Sequence, residues 1–177
     1  QILIDSLITN DIIKYEGVQG VAGYQFNKCK GKGNLNLSTF VKWKSLNYNQ
    51  HVSDTIVKSL SVGTNFQFKN QKFSILLDGN YYLDGYRKKD IDFKGGLNYY
   101  FTEDWSFGLR GSYQIISPSL DLRSYYGNNT SWENTFSTTD YLSVSGSLTS
   151  EKHNVDLIVS YNDVFNPVYF NFIGEPQ

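Results

Sequence analysis

The residue types that most often do chemistry are sparse in this chain of 177 residues and sit far apart. His51 falls in a polar link and His153 in the short turn Glu151-Lys152-His153. An alternating chain puts those two places at opposite ends, so a shared metal or a catalytic dyad is not expected; zinc needs three or four ligands. The single Cys29, in the run NKCKGKG, has no partner for an internal disulfide. Asp78, Asp84, Asp90 and Asp92 are the nearest thing to a calcium set. They lack the D-x-D-x-D-G spacing of an EF-hand, and Asp84-Gly85 reads as a turn. The glycan-acceptor matches at Asn36, Asn128 and Asn129 follow from a composition rich in Asn, Ser and Thr. No nucleophile–base set, phosphate-binding glycine loop or C-x-x-C pair is present. The expectation is therefore no enzyme, no cofactor and no metal.

What remains is a set of charges whose spacing makes sense only on strands. Lys42 and Lys44 are two apart, and so are Asp92 and Lys94. Each falls on the polar side of a run that alternates apolar and polar residues. In 34–44, Leu35, Leu37, Val41 and Trp43 oppose Asn36, Ser38, Lys42 and Lys44. In 105–115, Phe107, Leu109 and Tyr113 oppose Ser106, Arg110 and Ser112. The same period predicts strands over 13–26, 34–46, 56–69, 72–84, 91–101, 105–116, 141–150, 154–164 and 168–173. The first decapeptide has no clear period. Composition agrees: 1 Ala and no Met, against 14 Tyr and 12 Phe, disfavours helices and suits a pleated sheet. A net charge of −1 argues against nucleic acid as a partner.

The links alternate in length. Asn70-Gln71, Thr102-Glu103-Asp104 and Glu151-Lys152-His153 are tight; 47–55, 85–90 and 117–140 are longer. Turn 27–33 falls at the tight end although it is longer than its neighbours. An up-and-down meander puts alternate links at the same end, the pattern of outer-membrane barrels. A soluble barrel shares the alternation but turns its apolar face inward. Strand length, low charge on the polar face, aromatic residues near strand ends and the link pattern favour the membrane. A mean hydropathy of −0.41 does not oppose this, because a spanning strand is apolar on one face only.

The expected fold is all-β: an antiparallel up-and-down transmembrane β-barrel, or part of one, with about 8–9 strands. Gln1 at the start and Gly174-Glu175-Pro176-Gln177 at the end favour part of a larger barrel. The polar-face charges Lys42, Lys44, Asp78, Asp92, Lys94, Arg110 and Asp156 are candidates to line a lumen, where their mixed signs imply weak ion preference. A mixed network that only fills the interior is the equal alternative. Tyr125, Tyr126, Trp132 and Phe136 make the link 117–140 too apolar for a solvated loop. They fit a constriction folded into the pore or a contact with a partner. The expected partners are outer-membrane lipid and small hydrophilic solutes. Rival readings are the barrel of a plugged receptor-type transporter, a soluble ligand-binding barrel and a membrane scaffold. The oligomeric state stays open.

Three stretches resemble a known family. Residues 81–101, YYLDGYRKKDIDFKGGLNYYF, are similar to a strand, a Gly-Tyr turn and an Asp-led next strand. Residues 118–136 carry Pro118, Tyr125, Tyr126, Asn128, Trp132, Asn134 and Phe136 in a similar order, and 166–177 read NPVYFNFIGEPQ. These resemble the large putative porins of Gram-negative outer membranes. The resemblance is strong over 70–177 and rests on pattern before that. It implies a middle-to-late barrel segment, passage of solutes across the outer membrane, and no catalytic residues.

Overall fold

A computed structural model describes residues 14–49, 54–126, 131–171 and 176–177. The first decapeptide and His51 lie outside the described residues. The strands are β1 (Lys14–Lys30), β2 (Gly33–Asn49), β3 (Asp54–Lys69), β4 (Phe73–Gly85), β5 (Ile91–Tyr100) and β6 (Trp105–Ile116). After one helical turn, α1 (Leu120–Arg123), come the short β7 (Ser124–Tyr126) and β8 (Ser131–Glu133), then β9 (Thr139–Ser150) and β10 (Val155–Phe165). Eight strands form one up-and-down sheet in the order β1-β2-β3-β4-β5-β6-β9-β10, with every pair antiparallel. The sheet is open: among the described residues, β1 and β10 are each paired on one side only. Its architecture is that of an up-and-down barrel wall. Even the shortest of the eight strands, β5, has 10 residues, and about 9–11 suffice to cross a bilayer when tilted.

Residues opposite one another in an antiparallel ladder share a face, so the register can be followed across the sheet. One row runs Phe26, Leu37, Phe66, Leu77, Gly95, Gly111, Val144, Tyr161. The neighbouring residues give Gln25, Ser38, Asn65, Asp78, Lys94, Ser112, Ser143, Asn162. One face is thus oily and the other polar through all eight strands. The oily side chains are uncovered, with Val41 46%, Trp43 44% and Leu109 44% exposed. The polar side is the more covered one along β2, where Asn36, Ser38 and Lys42 are half-buried. It is also concave: a cavity on it brings Tyr15 of β1 together with Asp121 of the link that leaves β6. Among the described residues, Tyr48 is the one buried residue of hydrophobic type. A soluble domain would bury its large apolar side chains; this one turns them outward.

Several connections differ from expectation. Asn47 to Asn49 extend β2 beyond the expected 34–46 by pairing with Asp54 to Ile56, so the link expected over 47–55 shrinks to 50–53. Turn 27–33 shrinks to 31–32, because Asn27 to Lys30 pair with Gly33 to Asn36. The polar composition of these segments yielded to backbone pairing. The strand expected over 168–173 is not formed among the described residues. Asn166 takes a left-handed φ of 52° before Pro167, and the chain turns away, leaving an isolated bridge between Phe170 and Pro176. The link expected to be irregular over 117–140 instead holds α1 and the β7–β8 pair.

Two glycines shape the wall. In β4 the register slips between Leu60 and Ser61 of its partner, and Leu83 is the extra residue. The chain then reaches Gly85 at φ 89°, where a Cβ would lie 1.9 Å from the Lys58 carbonyl oxygen. Only glycine fits that approach. On the concave face, a Cβ at Gly63 would enter the Phe40 ring, coming within 2.3 Å of Cζ. Phe40 is thereby laid across the sheet backbone.

The outward face generates a direct test. Leu109→Arg, near the middle of β6, should cost about 2–4 kcal/mol in folding into lipid vesicles, whereas Gln67→Lys on the concave face should fold nearly as the parent does. Equal costs for the two variants would contradict the facing.

Candidate functional site

The candidate site is the concave polar face and the link folded over one end of it. The register puts all seven expected charges on that face. Lys42 stands opposite Ser61, Lys44 opposite Ser59, Asp78 opposite Lys94, Asp92 opposite Gln114, Arg110 opposite Ser145 and Asp156 opposite Thr149. Several are partnered. Asn65 Nδ2 donates to Asp78 at 3.2 Å, Gln114 Nε2 to Asp92 at 2.7 Å, and Thr149 Oγ1 to Asp156 at 2.9 Å. Lys94 Nζ lies 3.5 Å from Asp92 on its own strand rather than bridging to Asp78 across the ladder. Lys94 is exposed and Asp92 half-buried, and a pair so open to water contributes little to stability. Among the described residues, Lys42, Lys44 and Arg110 have no carboxylate within ion-pair distance.

At the end with the longer links, the polar face turns apolar. Leu46 and Tyr48 of β2 share the face of Lys44, with Tyr15 opposite Tyr48 at a ring distance of 5.1 Å. The link from β6 packs here. Ser119, Leu120 and Asp121 border a cavity of about 200 Å³ with Tyr15, Lys44 and Val57. The link therefore leaves β6 and reaches across the concave face to the first three strands.

Its root is held by a buried carboxylate. Asp90 is 0% exposed and closes the turn 86–90. Its Oδ2 accepts from Arg87 Nε at 2.7 Å, and its Oδ1 accepts from the Ser117 backbone N–H at 3.0 Å and Ser117 Oγ at 2.7 Å. A buried charge is tolerated only when paired and hydrogen-bonded in this way. Arg87 in turn donates to Tyr82 OH at 2.7 Å and lies over the Tyr82 ring at 4.1 Å. The Tyr86 hydroxyl donates to the Pro118 carbonyl, and the Arg123 guanidinium sits 5.1 Å from the Tyr86 ring centre. Burial pushes the Tyr86 phenol up to about 12, with Arg123 opposing the shift.

Of the four aromatic residues expected in the link, two come together. Tyr125 and Trp132 face each other across β7–β8 and stack at 4.6 Å. Trp132 Nε1 donates to the Asp121 carbonyl at 2.9 Å, and its ring meets Phe170 edge-on at 6.4 Å. Asn134 Nδ2 reaches the Pro176 carbonyl at 3.3 Å. The hairpin is thus fastened both to α1 and to the segment after β10. Tyr126 closes β7 opposite Ser131. Phe136 is half-buried beyond β8, and among the described residues no ring contact joins it to the stacked pair. His153 lies at the other end, stacked on Trp105 at 5.7 Å and hydrogen-bonded to Ser150 Oγ at 2.9 Å.

A family model described as "Putative porin" matches residues 5–177. The chain belongs to the putative porin family. No curated protein and no solved structure gives a significant match. The family match extends through the first third of this porin-family chain, where strand pattern alone had pointed to it. Among the described residues, no group of His, Cys, Asp and Glu is arranged to hold a metal ion. Asp90, weighed at first as a calcium ligand, is instead taken up by Arg87 and Ser117. The sequence carried a hint of this: an Arg-x-x-Asp turn before a strand, and a Ser-Pro directly after the next one.

Asp90→Ala should leave the Ser117 N–H and the Arg87 Nε–H without their acceptor, at about 1–3 kcal/mol. The expected outcome is proteolytic cutting within 117–138 while the sheet resists. The Tyr86 phenol should ionise near pH 12 rather than 10, read as ultraviolet absorbance lost in Tyr86→Phe. Its neutral form is the one favoured in the fold. Its contribution to docking the link therefore holds below pH 10 and is lost as pH rises through about 12.

Proposed function

We propose that this member of the putative porin family is an outer-membrane channel, not an enzyme, whose concave face lines a wet passage for small hydrophilic solutes. The observation that carries the reading is the facing of the sheet. Register rows made mostly of apolar residues turn outward, and rows made mostly of Ser, Asn, Gln and mixed charge turn inward. Hydrocarbon solvates the first and water the second. No helix among the described residues is long and apolar enough to cross a membrane; in this reading the strands cross it. A soluble barrel would put the oily rows inside, and the exposure of Val41, Trp43, Leu109 and Leu157 speaks against that.

The link 117–138 narrows the passage at one end. Its root is fixed by Asp90 and its first turn lies over the concave ends of β1 to β3. Because cations and carboxylates are interspersed along the wall, ion preference is weak.

The test is electrical. The full-length protein in planar bilayers should give stable conductance steps in potassium chloride, and liposomes containing it should admit small neutral sugars. Deleting 120–135 should raise the conductance. A folded, inserted protein that neither conducts nor admits sugars would overturn the channel reading.

A further inference from the structure

Midway along the concave wall, the inner surface is recessed. A hollow of about 600 Å³ is lined by Gln67, Leu76, Lys94, Asn98, Arg110 and Ser145, among others. Missing side chains help to make it. Gly96 stands opposite Arg110, and the stem of Arg110 runs beside it, with Cγ 3.9 Å from where a Cβ would be. A Cβ at Gly108 would come within 2.5 Å of Ser147 Oγ and 3.1 Å of Asn98 Oδ1. The charges at the hollow are not equivalent. Lys94 leans on Asp92, whereas Arg110 has no carboxylate within ion-pair distance among the described residues. One residue also breaks the polar pattern. Leu76, 47% exposed, occupies the row Gln67, Leu76, Gly96, Arg110, Ser145. An oily side chain and an unpaired guanidinium therefore face the same hollow with only glycine between them. Their backbones are two strand spacings apart, about 10 Å, a gap that the two side chains shorten.

We propose that this hollow is a binding station for short organic acids: Arg110 holds the carboxylate as a two-pronged donor, and Leu76 covers the alkyl end. The planar guanidinium fork matches a carboxylate. The Ser145 hydroxyl, opposite Arg110, lines the hollow as a neutral donor, while the Asn98 amide donates to Ser74 Oγ at 3.3 Å. A purely inorganic anion would use Arg110 and leave Leu76 without a role. The inference rests on one part of the proposed function, that the concave face is wet and reachable, and not on conduction itself.

The test uses the full-length protein in lipid nanodiscs, with butyrate as probe and saturation-transfer NMR as readout. Butyrate should bind saturably. Arg110→Gln should weaken it about tenfold or more, the loss of one charge-assisted contact. Leu76→Asn should weaken butyrate several-fold and leave phosphate unchanged. Butyramide, without the charge, should not compete. Binding unchanged by Arg110→Gln, or phosphate held as tightly as butyrate, would overturn the assignment. Bilayer recordings on the same preparations separate the two levels. Conductance without Arg110-dependent butyrate binding removes the station and leaves the channel. Arg110-dependent binding without conductance removes the channel and leaves the station.

Discussion

The structure depends on where its backbone polar groups and its apolar side chains find their solvent. A strand in hydrocarbon has no water for its N–H and C=O groups, so the ladder must satisfy them. Here the ladder is continuous from β1 to β10. With those groups satisfied, the side chains divide by parity, and most register rows are dominated by one character. The usual dry interior is missing: Tyr48 is the one buried residue of hydrophobic type among the described residues. In the proposed membrane setting, acyl chains around the wall would supply the apolar burial.

The exceptions to parity are concentrated where the wall does something other than span. Leu46 and Tyr48 are apolar on the concave side because α1 packs at that end. Leu83 is an extra residue in β4, and the slip carries Gly85 against the Lys58 carbonyl. That places the turn 86–90 so that Tyr86 and Asp90 both meet the start of the link, at Pro118 and Ser117. Phe40 over Gly63 and Leu76 beside Gly96 are smaller departures, each a large apolar side chain next to a position without one. At the end with the longer links, then, the broken alternation coincides with the docking of α1.

Much of this was legible in the amino-acid sequence. The period of two located all eight main strands and put Lys42, Asp92, Arg110 and the other wall charges on a common side. It failed at strand ends, where Asn47 and Asn49 look like loop residues but pair with Ile56 and Asp54. Pairing across strands is a tertiary fact, and composition carries only a weak trace of it. The segment 168–173 has strand-like residues, yet its described part, 168–171, follows a left-handed Asn166 and Pro167 and stays out of the ladder. The carboxylate clasp was hidden for a different reason. Asp90, Arg87 and Ser117 are ordinary polar residues in sequence, and only the fold brings the third to the first. The hollow at Arg110 was half visible: alternation marks Arg110 as a wall charge, but nothing in the sequence singles out Leu76 as an apolar residue on the polar side.

The most direct measurement of the central claim is a cysteine scan along β6 in lipid vesicles, with Cys29 replaced by serine. Probes at Ser106, Arg110 and Ser112 should react with a water-soluble thiol reagent. Probes at Phe107, Leu109 and Tyr113 should be quenched by brominated acyl chains and resist the reagent. Alternation with that phase is the predicted result; the opposite phase, or water access at every position, would contradict the account.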